Sequence, residues 1–475
     1  MLSIKEINNL FPADVASNIP SHCDSSIDFL THRQKYIDKK SAYVVFKKQE
    51  IDFNPQAVLS DHDLHIKQPL LVYRDLKEIS RKIALHLNKS RLSEFDFYGV
   101  TGTNGKSTTI KIVSDLINAI DSSKKCASLG TLGLNFNEQN FETFNTTPFP
   151  LDLHYTIRKA HSLGARAIAT EVSSHALCEK RIEGIEFKQI AFTNLSHDHL
   201  DYHQTMDAYF NEKLKLINYC KAPPIVNLDC AYIKKIVDHV EKTFSFSCLD
   251  KNANLFATIS EYTEKGIRGE LFYENEKYLF ELSLYGDYNL SNCLCAVSLL
   301  LNEGYALSDI CEHLQYIKTP KGRMERVLSE SGALFIDYAH TPDALEQSLK
   351  TLKKHYPEKE IITVFGCGGD RDIKKRPLMA KVSERYSNEV IITSDNPRSE
   401  DPFKILNHIK NGFSHLSKFQ EVEDREAAID TAIDKLTNNK LCLIAGKGHE
   451  DWQEINFKKI PFSDHQICQQ KYSKN

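Results

Sequence analysis

The sequence predicts an α/β protein built on parallel sheets, and three observations predict it. An apolar run at 95–100 leads directly into Thr101-Gly-Thr-Asn-Gly-Lys-Ser-Thr108, a glycine turn followed by a helical pattern. From about residue 95, strand-like apolar runs alternate with helical stretches, the pattern of a parallel sheet with helical crossovers. A second alternation of the same kind begins after Thr319-Pro-Lys-Gly-Arg-Met-Glu-Arg326.

Each element follows from its local pattern. The first ~90 residues combine short β-like runs at 42–46 and 70–73 with a helical stretch at 76–87, which predicts a small separate α/β domain. Beyond the glycine turn, Ile110, Val113, Leu116, Ile117 and Ile120 share one helical face. Strands are predicted at 167–172, 190–195 and 224–228. In the C-terminal third, apolar runs at 334–336, 361–365, 390–393 and 441–445 each switch at once to polar or glycine-rich residues. Their tails are Asp337-Tyr-Ala-His340, Gly366-Cys-Gly-Gly-Asp-Arg371, Ser394-Asp-Asn-Pro-Arg398 and Gly446-Lys-Gly-His-Glu450. Ligands of open parallel sheets bind beyond the carboxyl ends of the strands, so all four tails are expected to line one rim.

The bulk properties narrow the class. The chain has 475 residues, 26% charged and 41% apolar, with a net charge of −4. That describes a soluble protein of about two to four domains with no general reason to bind nucleic acid. No apolar run reaches the ~18 residues that would span a membrane, and Lys5 and Glu6 interrupt any secretory h-region. The twelve cysteines are scattered without a Cys-x-x-Cys pair, which points to reduced thiols and a cytoplasmic location.

The glycine turn carries the first chemistry. A strand, a turn and a helix N-terminus aim backbone N–H groups at phosphate. Lys106 can reach the β- and γ-phosphates and the Ser107 hydroxyl can hold Mg²⁺. Gly102 and Gly105 are separated by two residues where the usual motif has four. Downstream, Glu171 ends a strand and opens Glu-Val-Ser-Ser-His175, and the next strand leads into Asn194-Leu-Ser-His-Asp-His-Leu-Asp-Tyr-His203. Carboxylate and imidazole at neighbouring strand ends can complete the coordination of Mg²⁺ held by a triphosphate. A zinc site built from His197, His199, His203 and the acids, and a His197 or His203 that merely caps a helix, are the alternatives.

These segments resemble the Mur ligases, the ATP-dependent amide ligases of peptidoglycan precursor synthesis. The resemblance is carried by the phosphate loop, Asn145-Thr-Thr-Pro148, Glu-Val-Ser-Ser-His and Asp198-His-Leu-Asp-Tyr-His203. Gly286-Asp-Tyr-Asn-Leu-Ser-Asn292, Gly322-Arg-Met-Glu-Arg326 and Asp337-Tyr-Ala-His-Thr-Pro342 continue it. Gly-Cys-Gly-Gly-Asp-Arg-Asp and Asp-Asn-Pro-Arg are similar to the members that add the third residue of the stem peptide. About residues 95 to 465 are covered.

The resemblance implies three domains: 1–92 for a uridine nucleotide, 93–320 as the ATPase and 321–475 for the incoming amino acid. It implies a monomeric enzyme in which the carboxylate of UDP-MurNAc-L-Ala-D-Glu attacks the γ-phosphate of ATP, and an amine then displaces phosphate from the acyl phosphate. It also implies residue roles. Gly102, Thr103, Asn104, Gly105, Lys106, Ser107 and Thr108 meet the phosphates of ATP with Arg323, Asn289 and Asn292 its adenine, and Asp337 its ribose. Lys106, Glu171, His199 and Lys213 are the catalytic set, and Ser107, Glu171, His199 and Lys213 the metal set, with Lys213 carbamylated. A carbamate is an anion able to support metal ions, and its formation needs a neutral amine, hence a lysine pKa lowered by burial or nearby positive charge. Asn145, Thr146, Thr147, Ser173, Glu179 and Arg181 are the expected muramyl-peptide contacts, although the family expects a glutamine at position 179.

Asp395, Asn396, Pro397 and Arg398 form the motif of members that add meso-diaminopimelate. Diaminopimelate differs from lysine by a carboxylate at its far end, which Arg398 can meet with a bidentate fork while Glu450 pairs with the adjacent ammonium. Arg371 and the backbone of Gly446 complete that set. An Arg398 tied only to Glu400 or Asp401 on a surface loop is the plain alternative, as is an Arg323 paired only with Glu325.

The first ~90 residues depart from the family pattern. Where the uridine domain carries Asp-Ser-Arg and a glycine turn, this chain reads Asp28-Phe-Leu-Thr-His-Arg33 and Tyr43-Val-Val-Phe-Lys-Lys-Gln49. A relative with the same ATP chemistry on a different carboxylate acceptor is therefore the alternative reading. A P-loop switch or motor ATPase, a different class, gives no reason for the four C-terminal tails.

Overall fold

The computed structural model describes residues 1–19, 26–38, 40–46, 55–64, 66–196, 198, 200–327 and 332–472. The chain divides into two compact units, 1–255 with 294–310, and 256–293 with 311–475.

The first unit holds two sheets. The N-terminal sheet runs in the order Val15–Ser17, Leu70–Val72, Ala57–Ser60, Ser41–Val45, Phe29–Thr31. Its last four strands are parallel and the first is antiparallel. The continuous buried run Ser-Ala-Tyr-Val-Val at Ser41–Val45 is what a parallel strand covered on both faces requires. Helix Leu76–Leu92 is started by Asp75, whose side chain accepts from Glu78 N–H. It extends past the predicted end at 87 because Asn88 bonds back to the Ala84 carbonyl and Arg91 reaches Asp28. Leu76, Ile83, Ala84 and Leu87 pack with the strands, joined by Leu151.

In the second sheet of this unit, Phe244–Ser247, Ile225–Asn227, Gln189–Phe192, Asp96–Thr101, Ala167–Glu171 and Cys126–Gly130 lie side by side, followed by Gly133–Phe136 and Gln139–Phe141. The first six are parallel and the last two form antiparallel pairs. Asp96–Thr101 is central, with Ala167–Glu171 on one side and Gln189–Phe192 on the other, so the strand order switches direction at the phosphate loop. Helix Lys106–Ile120 buries Ile110, Val113, Leu116 and Ile117 as predicted, whereas Ile120, in the last turn, is only half-buried. The predicted strand at 190–195 stops at Phe192, since residues 193–195 turn away to hold the loop.

The second unit contains the sheet Glu325–Val327, Ala333–Asp337, Lys440–Ala445, Glu360–Phe365, Glu389–Ile392, Phe419–Glu421. All its pairings are parallel except that of the first strand. The four predicted apolar runs are neighbours in this sheet and point the same way, so their tails emerge at one edge. The same unit also contains two antiparallel hairpins outside this sheet, Gly266–Tyr273 with Glu276–Leu282 and Trp452–Ile455 with Lys458–Pro461. The fold class is thus α/β with parallel sheets, as the sequence predicts. Among the described residues no helix is long and apolar enough to cross a membrane, and none of the eleven described cysteines is in a disulfide.

Candidate active site

The phosphate loop is fixed from the adjacent strand. Thr103 N–H donates to the Asn194 carbonyl (2.9 Å), Asn104 N–H to Asn194 Oδ1 (2.9 Å), and the Thr193 hydroxyl to the Asn104 carbonyl (2.7 Å). The chain enters helix Lys106–Ile120 through Gly105, whose φ is +85°, and Thr108 is buried in its first turn. The Lys106 ammonium donates to the carbonyls of Gly102 (2.9 Å) and Thr103 (2.7 Å). It therefore closes the loop on itself, and a triphosphate would draw it away from these two weaker acceptors.

Glu171 ends its strand 1% exposed, opposite Val100 in register. Its Oε1 accepts from the Ser107 hydroxyl (2.7 Å) and from Thr131 N–H (2.8 Å), and its Oε2 from the Thr131 hydroxyl (3.3 Å). Gly130 makes the approach possible, because a Cβ there would stand 2.2 Å from Glu171 Oε1. Ser107 and Glu171 together are a pair of hard oxygen donors suited to Mg²⁺.

Lys213, on helix Met206–Leu214, is 2% exposed. Its Nζ donates to the Gly102 carbonyl (3.0 Å) and Thr101 Oγ1 (3.3 Å). Burial, then the charge of Lys106, push its pKa well below that of an ordinary lysine, with Asp198 opposing. These are the two causes that leave an amine neutral. Lys215, two residues on, instead pairs with Glu212 at 2.7 Å. His199 and His197 lie outside the described residues. His203 bonds to the Ser174 hydroxyl (2.8 Å) and stacks on Tyr209. Among the described residues no three His, Cys, Asp or Glu side chains form a metal cluster.

A second group adjoins Glu171. Thr147, buried, donates to the Glu171 carbonyl (2.8 Å) and accepts from Ser173 N–H (3.1 Å). Thr146 Oγ1 lies 3.0 Å from Thr131 Oγ1. Arg181 donates to the Thr147 carbonyl (2.7 Å) and to Glu179 Oε2 (3.0 Å), with its guanidinium 4.1 Å above Phe149. The unexpected carboxylate at 179 is thus balanced by its own arginine. Asn145 is half-buried beside them.

Within the second unit, Asn289 and Asn292 are buried in the first turns of helix Asp287–Glu303 and bonded to each other (3.2 Å). Asp337 is also buried, which raises its pKa. Its Oδ1 accepts from Met324 and Tyr338 N–H groups and its Oδ2 from the Ser348 hydroxyl. Arg323 lies 4.6 Å over the Tyr338 ring, and its Nε has no partner among the described residues. Its expected rival contact is absent: Glu325 accepts from Gly322 N–H (2.7 Å) and pairs with His465 (3.1 Å).

The rim of this unit collects the third group. Asn396 donates to Glu450 Oε2 (2.9 Å), and the fully buried Lys447 ammonium donates to Asn396 Oδ1 (3.1 Å) and Glu450 Oε2 (3.2 Å). Gly446, at φ +115°, passes so close to Asp395 that a Cβ would lie 2.6 Å from its Oδ2. The Pro397 carbonyl accepts from Glu400 N–H (3.0 Å). Arg398 bonds to Glu454 (3.1 Å) and the Gly369 carbonyl (2.7 Å). It does not pair with Glu400, which receives both Arg376 Nη atoms (3.0 and 2.8 Å). Arg371 is exposed on the neighbouring tail. Lys447, Glu454 and Thr131 escaped the sequence reading. Lys447 stood inside a tail already singled out, whereas nothing local marks the other two.

Known proteins share this architecture. Residues 100–300 match the Mur ligase middle domain, and residues 322–448 match the Mur ligase, glutamate ligase domain. A Pseudomonas putida protein named UDP-N-acetylmuramoyl-L-alanyl-D-glutamate–2,6-diaminopimelate ligase is 36% identical over 468 residues, covering 95% of this chain and 91% of that protein. The Aquifex aeolicus protein of the same name is 36% identical over 417 residues, covering 87% and 85%. A solved structure of a ligase of that name aligns with a TM-score of 0.66 at 27% identity, covering 100% of this chain and 99% of that one. UDP-N-acetylmuramoylalanyl-D-glutamyl-2,6-diaminopimelate–D-alanyl-D-alanyl ligase from Acinetobacter baumannii aligns at 0.72 with 13% identity, covering 100% and 98%, a likeness of fold. The chain belongs to the Mur ligase family.

Proposed function

We propose that this chain adds meso-diaminopimelate to UDP-MurNAc-L-Ala-D-Glu at the expense of ATP, with 1–92 serving the uridine nucleotide, 93–320 ATP and 321–475 the amino acid. The observation that carries the choice of amino acid is the rim, where Asn396, Lys447 and Glu450 are bonded together next to Arg398. Such a cluster offers a cation and an anion to the far end of a zwitterionic side chain. A lysine substrate would leave the Arg398 fork unmatched, which penalises it when water is excluded.

In this reading the acceptor carboxylate oxygen attacks the γ-phosphorus, and the bond to ADP breaks. The amine then attacks the acyl carbonyl, phosphate departs, and the nitrogen loses a proton as the amide forms. Lys106 and the loop N–H groups neutralise the triphosphate that would otherwise repel the carboxylate. Ser107 and Glu171 would hold Mg²⁺ together with His199, and Lys213, as N6-carboxylysine, would support it, a role its burial favours. When bound, that ion supplies further charge neutralisation at the transferring phosphoryl group. Asn289 and Asn292 meet the adenine, Asp337 the ribose and Arg323 the phosphates. Thr146, Thr147, Ser173, Glu179 and Arg181 orient the acceptor peptide, with Asn145, while Arg371, Asp395, Asn396, Pro397, Arg398, Gly446 and Glu450 receive diaminopimelate.

A second reading keeps the ATP chemistry and changes the acceptor. It is favoured by Asp28, whose two oxygens are taken by Arg91 (2.6 Å) and Arg158 (2.8 Å), in the segment where the family carries its nucleotide contact. Phosphate release from ATP and Mg²⁺ with UDP-MurNAc-L-Ala-D-Glu, with and without amine, separates the two. Release that requires both nucleotide and diaminopimelate supports the first. Binding of ATP with no release on that nucleotide supports the second.

A further inference from the structure

Arg398 stands in the left-handed region, at φ +52°. A non-glycine residue keeps such a backbone only where its surroundings hold it, and here they come from 56 residues further along the chain. The hairpin Trp452–Ile455 and Lys458–Pro461 runs beside the Asp395–Arg398 loop as an added strand would. Arg398 N–H donates to the Glu454 carbonyl (2.9 Å), and Asn456 N–H donates to the Arg398 carbonyl (2.7 Å). Glu454 N–H donates to Asn396 Oδ1 (2.9 Å), and Gln453 Nε2 to the Asp395 carbonyl (2.7 Å). Backbone and side chains of the hairpin thus template the loop.

On that frame one carboxylate touches the guanidinium. Glu454 Oε2 accepts from Arg398 Nε at 3.1 Å, and both side chains are largely covered, 22% and 18% exposed. Arg398 Nη1 donates to the Gly369 carbonyl (2.7 Å). Nη2 has no partner among the described residues. A guanidinium offers a carboxylate two paired edges, one through Nε and Nη2 and one through Nη1 and Nη2. With Nε taken by Glu454 and one of the two Nη1 N–H donors given to Gly369, the second Nη1 N–H and Nη2 are left to meet a ligand along the Nη1–Nη2 edge.

We propose that Glu454 is a positioning residue for Arg398: it occupies Nε, fixes the plane of the guanidinium, and leaves the Nη1–Nη2 edge to receive the distal carboxylate of the incoming amino acid. This rests on the reading of the rim as the diaminopimelate site. An ordinary surface ion pair contributes little and orients nothing. This one is built on a two-way backbone bridge, so its loss frees both the side chain and the edge it presents.

The test compares Glu454→Ala, Glu454→Gln and Arg398→Ala in the full chain, with meso-diaminopimelate and L-lysine as competing amines. Glu454→Ala is expected to raise KM for diaminopimelate about tenfold, with kcat changed less than about threefold. The kcat/KM preference for diaminopimelate over lysine should fall about tenfold, and KM for ATP should stay at the parent value. Glu454→Gln keeps an acceptor oxygen for Nε and should recover most of the preference, losing about threefold. A parental preference in Glu454→Ala, alongside a collapsed one in Arg398→Ala, overturns the positioning role and leaves the rim reading intact. A parental preference in Arg398→Ala overturns the rim reading itself. If Glu454→Ala does not fold, Glu454→Thr, whose hydroxyl is too short to reach Arg398 Nε, takes its place, and a parental preference there alongside a collapsed one in Arg398→Ala overturns the proposal.

Discussion

Ser107 Oγ donates to Glu171 Oε1 at 2.7 Å across 64 residues of chain. The two meet because their strands are neighbours, Glu171 lying opposite Val100, the residue just before the loop strand ends at Thr101. Thr131 N–H completes the arrangement by holding the same oxygen. The carboxylate is therefore oriented before any ligand arrives, the preorganisation that metal and phosphate sites need.

Glu171→Gln retains the oxygen that accepts from Ser107 and Thr131 but removes the charge. We expect ATP turnover to fall about 10²- to 10³-fold while the thermal midpoint moves little. Phosphate release across a MgCl₂ titration checks this, and a parental rate at saturating Mg²⁺ would remove Glu171 from the metal set.

Lys213 tests the modified-lysine reading. Replacement by Arg preserves a long cationic side chain that cannot be carbamylated, and turnover should drop at least about 10²-fold. The parent protein equilibrated with ¹³C-bicarbonate should show a carbamate carbon resonance that Lys213→Arg lacks. A resonance present in both proteins would place the modification elsewhere.

His154 gives a pH signature independent of catalysis. Its ring is 3% exposed on helix Pro150–Ser162, and Nδ1 has no partner among the described residues. Burial, then the charge of Arg81, lower its pKa to about 4. The unfolded chain takes up this proton near pH 6.5 and the folded chain only near 4, so stability falls as pH drops through that window. The slope is about 1.4 kcal/mol per pH unit and the total about 3 kcal/mol. Urea unfolding of His154→Phe should give a shallower decline between pH 6.5 and 4. Equal slopes in parent and variant would contradict the assignment.

Arg425 and Asp464 form an ion pair with both side chains 0% exposed. Two bonds of 2.8 Å join them, and Arg425 also donates to the Ala445 carbonyl (3.0 Å) at the root of the 446–450 tail. Arg425→Met leaves a buried, unpaired carboxylate and should cost about 3–5 kcal/mol. The double variant with Asp464→Leu should recover much of that loss, as measured by denaturant midpoints.

The parts of this account that were legible in the sequence are those with local signatures. Continuous apolar runs ending abruptly in Asp337, Gly366, Ser394 and Gly446 marked four parallel strands, and the sheet places them side by side. The loop around Lys106 announced itself through its glycines, and Glu171 through its position at a strand end. What escaped notice depends on contacts that span the chain. Glu454 reaches Arg398 from a hairpin whose own pattern says nothing of its partner. Thr131 contacts Glu171 only because Gly130 lets the carboxylate approach. The plain alternatives offered by short-range pairing are not what the fold makes: Glu400 and Glu325, the nearby candidates for Arg398 and Arg323, are bonded to Arg376 and His465 instead. The strand predicted at 190–195 ends at Phe192 because the Thr193 and Asn194 side chains donate to the loop carbonyl of Asn104.

The most direct test is the mass of the UDP-linked product formed from UDP-MurNAc-L-Ala-D-Glu and ATP in an equimolar mixture of meso-diaminopimelate and L-lysine. The account predicts a single product heavier by one diaminopimelate residue, with one ADP and one phosphate released per product. A lysine adduct, or no adduct from either amine by a protein that still binds ATP, would contradict it.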